Sequence, residues 1–522
     1  MIIGAKGMVV AGHPLASAVG IQVLEEGGNA VDAALATAFV MAVVKPETCG
    51  PGGDVFALIH MRKEGRVQAL NASGPAPSEA TIDFFERKGI KRIPLYGGSS
   101  IAVPGAVDGW LELHRRYGGL ELGRLLEPAI DYARDGFPLQ PPLAQAIADL
   151  TGDFPDIEAC YMAPLRRAGV GQLLIQSALG DTFERIVREG RRGFYEGPVA
   201  AGICRAARAA DGVLREKDFE GNFAEWLEPL ASTYRGLTLY EQPPVSQGFL
   251  VLEMLNIVEA DSLASMAAEN SVHLMVEAKK LAFADRIAYL EDPRFGNPRV
   301  SLLISKRHAA ARRALIGGRA EPRSAGEPSL GGDTTYLCAA DRDGNVVSLI
   351  QSIFSHFGSG VIARNSGVIM NNRLASFGLD PKKANALKPG KRPAHTLNSY
   401  MVFKEGEFWA VGGSPGADDQ PQTNFQVLHH LIDRDMDPQA AVEAPRWSHE
   451  PGTPPREEGQ EQLRLEPGFD ADLARALSEK GHNVKLVKQR SFGSAKVIVK
   501  EPSSGVWMAG ADPRREAYAV GR

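Results

Sequence analysis

The first half of the chain alternates apolar runs at helical spacing with short breaks marked by glycine and proline. Pro14 to Glu26 reads as a helix, with proline in its first turn and Gly27-Gly28 closing it. Asn29 can cap a second helix from Ala30 to about Val43, AVDAALATAFVMAV, whose nearly continuous apolar character predicts burial all round. Gly50-Pro51-Gly52-Gly53 then turns the chain into a strand, DVFALIHMR. After Lys63-Glu64-Gly65 comes VQAL, its expected hairpin partner. Amphipathic helices are predicted near 107–116, 139–150 and 180–189, and a long one over about 270–290. The segment 303–330 begins basic and helical, then turns rich in Gly, Pro and Ser, the composition of an exposed, mobile loop. Strands dominate beyond it. TTYLCAADRDGNVVSLIQS reads as two strands joined at Asp343-Gly344, followed by SGVIMNN, SYMVFKEGEFWAVGG, VKLVKQ, AKVIVK and VWMAG, with helices at 421–433 and 470–480. The pattern predicts helices around antiparallel sheets, with a loop directly before a strand that begins at Thr334.

Composition narrows the partners. The 522 residues could fill one large unit or about two to three ordinary domains. With 44% hydrophobic and 23% charged residues the chain reads as soluble and globular. A net charge of -5 points to no nucleic acid partner, yet a single pocket arginine would suffice for a small anionic substrate. No uninterrupted apolar run is long enough for a membrane span. The opening MIIGAKGMVVAGHP has no convincing signal-peptide core, so a cytoplasmic location is expected. Cys49, Cys160, Cys204 and Cys338 form no C-x-x-C pair and are expected to be buried free thiols. GPGGD lacks the Gly-Lys-Ser/Thr ending of a phosphate loop; Gly52 and Gly53 are expected to let the backbone approach a pocket. His429-His430 has no acidic ligand at useful spacing, so neither a metal nor another cofactor is expected. The short basic run KRHAAARR reads as a solvated helix face, and EAKKLAFADR as a buried helix with a polar face.

The segment GGDTT, residues 331–335, carries the chemistry. Breaking the Asp333–Thr334 peptide would give Thr334 a free α-amine. A hydroxyl is a poor nucleophile without a base, and a terminal amine with a pKa near 7.7–8.0 can take its proton, so one residue supplies both groups. The cut itself can follow the same route, with the Thr334 oxygen attacking the Asp333 carbonyl. An ordinary turn into a strand has the same local pattern.

Several ordered stretches carry a resemblance. They are GMVVAGHPLAS (7–17), LEEGGNAVDAALA (24–36), GPGGDVFALI (50–59), VPGAVDGW (103–110), PPVSQG (243–248), EAKKLAFADR (277–286), GGDTTYLCAADRDGNVVSLIQSIFSHFGSG (331–360), SGVIMNN (366–372) and GGSPGADDQPQ (412–422). Through them nearly the whole chain resembles the γ-glutamyltranspeptidase family of N-terminal-nucleophile hydrolases. The resemblance implies an α+β fold, a four-layer αββα sandwich. It also implies a proenzyme that cuts itself into a large chain, 1–333, and a small chain, 334–522, which stay together as one intertwined unit; a dimer of such heterodimers is compatible with it. By the family motif Thr334 is the nucleophile, Ser352 supports its amine, and the N–H groups of Gly416 and Ala417 form the oxyanion hole.

The substrate side departs from the family pattern. Ser73, in NASGPAP, falls where an arginine usually grips the substrate α-carboxylate, and a hydroxyl cannot give a bidentate charged grip. Phe354 replaces an asparagine. Arg373 and Ser376 fall at the glutamine and aspartate that meet the substrate amine, and His395 and Thr396 at paired serines. Asp419 is expected to orient the loop after the oxyanion pair or to meet the substrate. Arg373 has a plainer reading as partner of Asp418, Asp419 or another core acid. The pattern resembles the divergent glutathione hydrolase-like branch, whose relatives include cephalosporin acylases and an oxamate amidohydrolase. The expected activity is hydrolysis of a small amide, carboxylate-bearing or γ-glutamyl-like. The alternatives are a true γ-glutamyltransferase or glutathione hydrolase, and a non-catalytic binding protein on the same fold.

Overall fold

The computed structural model describes residues 1–150, 154–162, 170–321, 333–450 and 461–522. The Gly/Pro/Ser-rich stretch expected before Thr334, including Gly331-Gly332, lies outside the described residues, as does the Asp333 side chain.

Two helices open the fold as the pattern predicts: α1 (Pro14–Glu25) and α2 (Ala30–Val44). Asn29 accepts from Val31 and Asp32, while the Asp32 carboxylate accepts from Asn29 in return, a reciprocal cap that fixes where α2 starts. Every residue of α2 is buried, as its unbroken apolar sequence requires.

Among the described residues, fourteen strands form two seven-stranded antiparallel sheets: β1 (Ile2–Gly4), β2 (Gly7–Ala11), β3 (Asp54–Met61), β4 (Arg66–Ala72), β5 (Glu225–Leu227), β6 (Leu230–Tyr234), β7 (Leu237–Glu241), β8 (Asp333–Asp341), β9 (Val346–Phe354), β10 (Ser399–Lys404), β11 (Glu407–Gly413), β12 (Lys496–Lys500), β13 (Trp507–Ala511) and β14 (Tyr518–Gly521). One sheet runs β14-β2-β8-β9-β3-β4-β5 and the other β1-β13-β12-β11-β10-β7-β6.

Side-chain alternation along these strands builds the layers. From the first sheet, Val9, Ala57, Leu337 and Ala339 pack on α1 and α2, while their neighbours Met8, Phe56, Leu58, Tyr336 and Cys338 face the second sheet. Met401, Val411 and Ile498 of the second sheet meet them. Its opposite face, with Val402, Ala410 and Val497, packs on α3 (Phe249–Val258), α4 (Ala268–Tyr289) and α5 (Asp419–Ile432). The order is helix, sheet, sheet, helix.

Some elements differ from the sequence reading. SGVIMNN gives only a two-residue strand, Val368–Ile369, and VKLVKQ only Val484–Leu486, paired in parallel with Gln462–Leu465 in a small separate sheet. Cys160 is partly exposed rather than buried. The basic run forms Lys306–Arg313, and it is not simply solvated: Arg312 bonds Asp285, Arg313 bonds Asp261 and Lys306 bonds Glu259. No helix among the described residues is long and apolar enough to cross a membrane.

Candidate functional site

The β8–β9 hairpin brings Thr334 and Ser352 together. The pairing register shifts between Asp333 and Thr335, so Thr334 stands at an irregularity in the ladder. Its hydroxyl lies 3.3 Å from the Ser352 Oγ, and Gln420 Nε2, from the first turn of α5, approaches the Thr334 oxygen at 3.4 Å. Thr334 is 4% exposed and Ser352 1%, so the pair is screened from bulk water. Ser352 is held from behind: a side chain at Gly53 would place its Cβ 2.4 Å from the Ser352 carbonyl oxygen, which is why glycine stands there. The GPGG turn, expected to approach a pocket, here approaches the backbone of β9 instead.

The Ser352 hydroxyl also accepts from Phe354 N at 2.8 Å and lies 3.5 Å from Arg373 Nη2. Arg373 is fully buried. The acid beside it is Asp54, at the start of β3, 3.5 Å from Nε, and neither Asp418 nor Asp419. Asp418 instead pairs with Arg286 of α4. The second face of the Arg373 guanidinium rests on the Phe354 ring, 4.3 Å from its centroid. Burial pushes Arg373 down to about 10, against the pull of Asp54, so it stays cationic at neutral pH.

His395 approaches the same Asp54 oxygen at 3.4 Å. Burial, with the Arg373 charge next, lowers the imidazole to about 4, so it is neutral at pH 7. Among the described residues, Asp54 Oδ2, Arg373 Nε and Nη1, and both His395 ring nitrogens have no hydrogen-bond partner, although all are buried. Leaving such groups unpaired costs roughly 1–3 kcal/mol each, offset here in part by the approach of Arg373 and His395 to Asp54.

The turn before α5 carries Gly416 and Ala417 at φ +126° and +51°, both in the left-handed half of backbone space. Gln247 staples this turn to the opposite wall, with its Nε2 donating to Thr396 O at 2.9 Å and reaching Ala417 O at 3.3 Å. Its Oε1 accepts from Arg286 at 2.7 Å. A cavity of about 800 Å³ opens here, lined among others by Arg286, Phe354, Ser376, His395, Thr396 and Asp418.

The remaining candidates are placed less centrally. Ser73 is fully buried and donates to Asn71, next to the Asp54–Gly74 hydrogen bond. The Ser376 hydroxyl donates to the Arg373 carbonyl at 2.8 Å while the residue lines the cavity. The Asp419 carboxylate accepts from Ser448 at 2.6 Å, and burial raises it to about 6. Sequence reasoning passed over Asp54, Gln247, Arg286 and Gln420 as site residues. Each lies inside one of the matched stretches, which was the available signal. What was missing was the pairing, since Asp54 and Arg373 are far apart in the chain.

A threonine hydroxyl beside a serine hydroxyl, a nearby turn with left-handed residues and a buried cation can together support acyl transfer and hold an anionic group. The family profile for gamma-glutamyltranspeptidase matches residues 16–522. The chain is 38% identical to the glutathione hydrolase-like YwrD proenzyme of Bacillus subtilis (strain 168), over 100% of this chain and 99% of that protein. It is 34% identical to the oxamate amidohydrolase proenzyme of Klebsiella pneumoniae subsp. pneumoniae, over 99% of each. Among solved structures, cephalosporin acylase from Bacillus halodurans superposes with a TM-score of 0.91 at 36% identity, covering 100% of this chain and 96% of that one.

Proposed function

Because this chain belongs to the gamma-glutamyltranspeptidase family, we propose that it is an autoprocessing amidohydrolase that acts on a small, carboxylate-bearing amide through Thr334. In this reading the chain is cut between Asp333 and Thr334 into a large chain, 1–333, and a small chain, 334–522. The freed amine of Thr334 accepts the proton of its own hydroxyl, and the oxygen attacks the amide carbon. Ser352 steadies the threonine, and the N–H groups of Gly416 and Ala417 take the oxyanion, where one donor is worth about 3 kcal/mol. The Thr334 ammonium gives that proton to the leaving amine, which departs; the Thr334 amine then takes a proton from water, whose oxygen releases the acid from the threonine ester.

The observation that carries the substrate class is the run of contacts from the Thr334 oxygen through Ser352 to Arg373, 3.3 and then 3.5 Å. A cation this close to the attacked carbon suits an acyl group that ends in a carboxylate and opposes an α-ammonium. The name of one relative, an oxamate amidohydrolase, supports the same reading, and that of another, an acylase, supports action on an amide. One observation favours a γ-glutamyl substrate instead: an Asp54 oxygen has no hydrogen-bond partner among the described residues and carries the charge that would receive an ammonium group.

Two measurements test the reading. The denatured mass of the purified protein should resolve into two chains that together account for 56.0 kDa, the smaller beginning at Thr334. Thr334→Ala should remain one uncut, inactive chain, and a cut Thr334→Ala protein would overturn the nucleophile. Rates on oxamate-like amides should exceed those on a γ-glutamyl anilide, with or without a dipeptide acceptor. A dominant γ-glutamyl rate sinks the carboxylate-amide reading.

A further inference from the structure

The threonine oxygen has a second polar neighbour besides Ser352. Gln420 stands in the first turn of α5, just after the Gly416-Ala417 turn, and its backbone N–H donates to the Ala417 carbonyl at 3.2 Å. From there its side chain reaches the Thr334 Oγ, 3.4 Å from Nε2. Gln420 is fully buried, so bulk water does not compete for either end of its amide.

The backbone decides which end of that amide faces the threonine. Asn398 N–H approaches the Gln420 side-chain amide at 3.2 Å, and a backbone N–H can only donate, so the atom it meets is Oε1. Asn398 Nδ2 meets the same oxygen at 3.3 Å. The Asn398 amide is fixed in the same way, because its Nδ2 donates to the Thr396 carbonyl at 2.9 Å and a carbonyl can only accept. Its Oδ1 then accepts from Asn424 Nδ2 at 2.8 Å. With Oε1 held on the Asn398 side, Gln420 presents N–H to the Thr334 oxygen.

A donor at this place has a use in the chemistry. In the mechanism proposed above, negative charge gathers on the Thr334 oxygen twice per cycle. The first time is when its proton passes to the α-amine. The second is hydrolysis of the ester: the water oxygen bonds to the acyl carbon, the bond from that carbon to Oγ breaks, and its electron pair goes to Oγ. The proton that the amine took from water ends there too, restoring the hydroxyl. A hydrogen bond to an ionised oxygen is shorter and about twice as strong as one to a neutral oxygen, so the resting contact of 3.4 Å tightens as charge arrives. The N–H groups of Gly416 and Ala417 do not supply this, since they are assigned to the other oxygen, that of the substrate carbonyl.

We infer that Gln420 is a further catalytic residue, whose side-chain N–H stabilises the negative charge on the Thr334 oxygen both as it attacks and as it leaves. This rests on the reading of Thr334 as the nucleophile, and adds to it a donor for the nucleophile's own oxygen.

The test compares Gln420→Met and Gln420→Glu with the parent protein. Gln420→Met keeps the length of the side chain and removes the donor. Gln420→Glu keeps an acceptor for Asn398 and, when ionised, has nothing to donate. Two rates are read: self-cleavage before Thr334, which needs no added substrate, and kcat on oxamate or a γ-glutamyl anilide, whichever the parent turns over faster. Melting temperatures report folding. Gln420→Met should be roughly 10- to 100-fold slower in both, with KM little changed. Gln420→Glu should be as slow at about pH 8 and should gain on the parent as the pH falls toward about 5, because protonation restores a donor. A glutamine that served the fold alone would show no such recovery. A folded Gln420→Met that stays within about twofold of the parent in both rates overturns the proposal, and so does a Gln420→Glu that is slow at every pH. If Thr334→Ala is still cut, the nucleophile is overturned and Gln420 with it. If Thr334→Ala stays uncut while Gln420→Met works at the parental rate, Gln420 alone is overturned. Should Gln420→Met fail to fold, Gln420→Glu decides the matter by its pH profile.

Discussion

A fully buried arginine is costly unless something pairs with it, and at Arg373 the pairing is only partial. Asp54 is 3.5 Å away and two guanidinium nitrogens have no hydrogen bond among the described residues. Arg373→Leu should therefore do two separable things. It should destabilise the protein by about 3–5 kcal/mol, because Asp54 is left as an uncompensated buried charge. It should also lower kcat/KM for a carboxylate amide by roughly 10- to 100-fold, the worth of a charged hydrogen bond of about 1.5–3 kcal/mol. Adding Asp54→Leu should restore much of the melting temperature and none of the activity. Recovery of activity in the double variant would mean that Arg373 serves the fold alone. The sequence made Arg373 visible as a departure from the family pattern. It could not name the partner, because the acid that meets Arg373 comes from the start of a strand far earlier in the chain, while the nearer-looking Asp418 is already held by Arg286.

Elements that end in a cap or a tight turn were legible in the sequence. α1 and α2 fall where Pro14, Asn29 and the glycines between them place their ends, and the β8–β9 hairpin turns at Asp343-Gly344. The helix Leu122–Asp135 went unread because Pro128 lies inside it and interrupts the expected backbone bonding. α3 is buried on every side and apolar but for Glu253 and Asn256, so no periodic face announced it. The close packing of β9 against the turn before β3 gives a direct test of element placement. Gly53→Ala would bring a methyl group to 2.4 Å from the Ser352 carbonyl oxygen. The expected outcome is a loss of about 1–3 kcal/mol in stability from overpacking and slower self-cleavage. Thermal melts and the time course of the cut would measure both. An unchanged cleavage rate would show that the Ser352 backbone can shift without cost to the chemistry.

At the scale of the whole molecule, buried histidines tie stability to pH. His13 caps α1 by accepting from Leu15 N, which only an unprotonated ring nitrogen can do, and burial, then Lys45, lowers it to about 3. His395 is lowered to about 4. In the unfolded chain both would titrate near 6.5. Their contribution is thus complete above about pH 6.5 and is lost as the pH falls toward 4, because the unfolded chain binds protons that the folded one refuses. The melting temperature should fall steadily between pH 7 and 4. His395→Asn should flatten part of that slope, and a flat profile in the parent protein would contradict it.

The strand order has a consequence for how such a protein must be made. The first sheet seats β8, β9 and β14 among β2, β3, β4 and β5, and the second flanks β10 to β13 with β1 on one side and β7 and β6 on the other. A polypeptide ending at residue 333 would lack the middle of both sheets. It would present bare strand edges along β2, β3 and β7, ready to pair with any other chain. Ribosomes that stop early on this message would therefore release an aggregation-prone fragment. Supplying residues 334–522 afterwards would have to compete with that fragment's self-association.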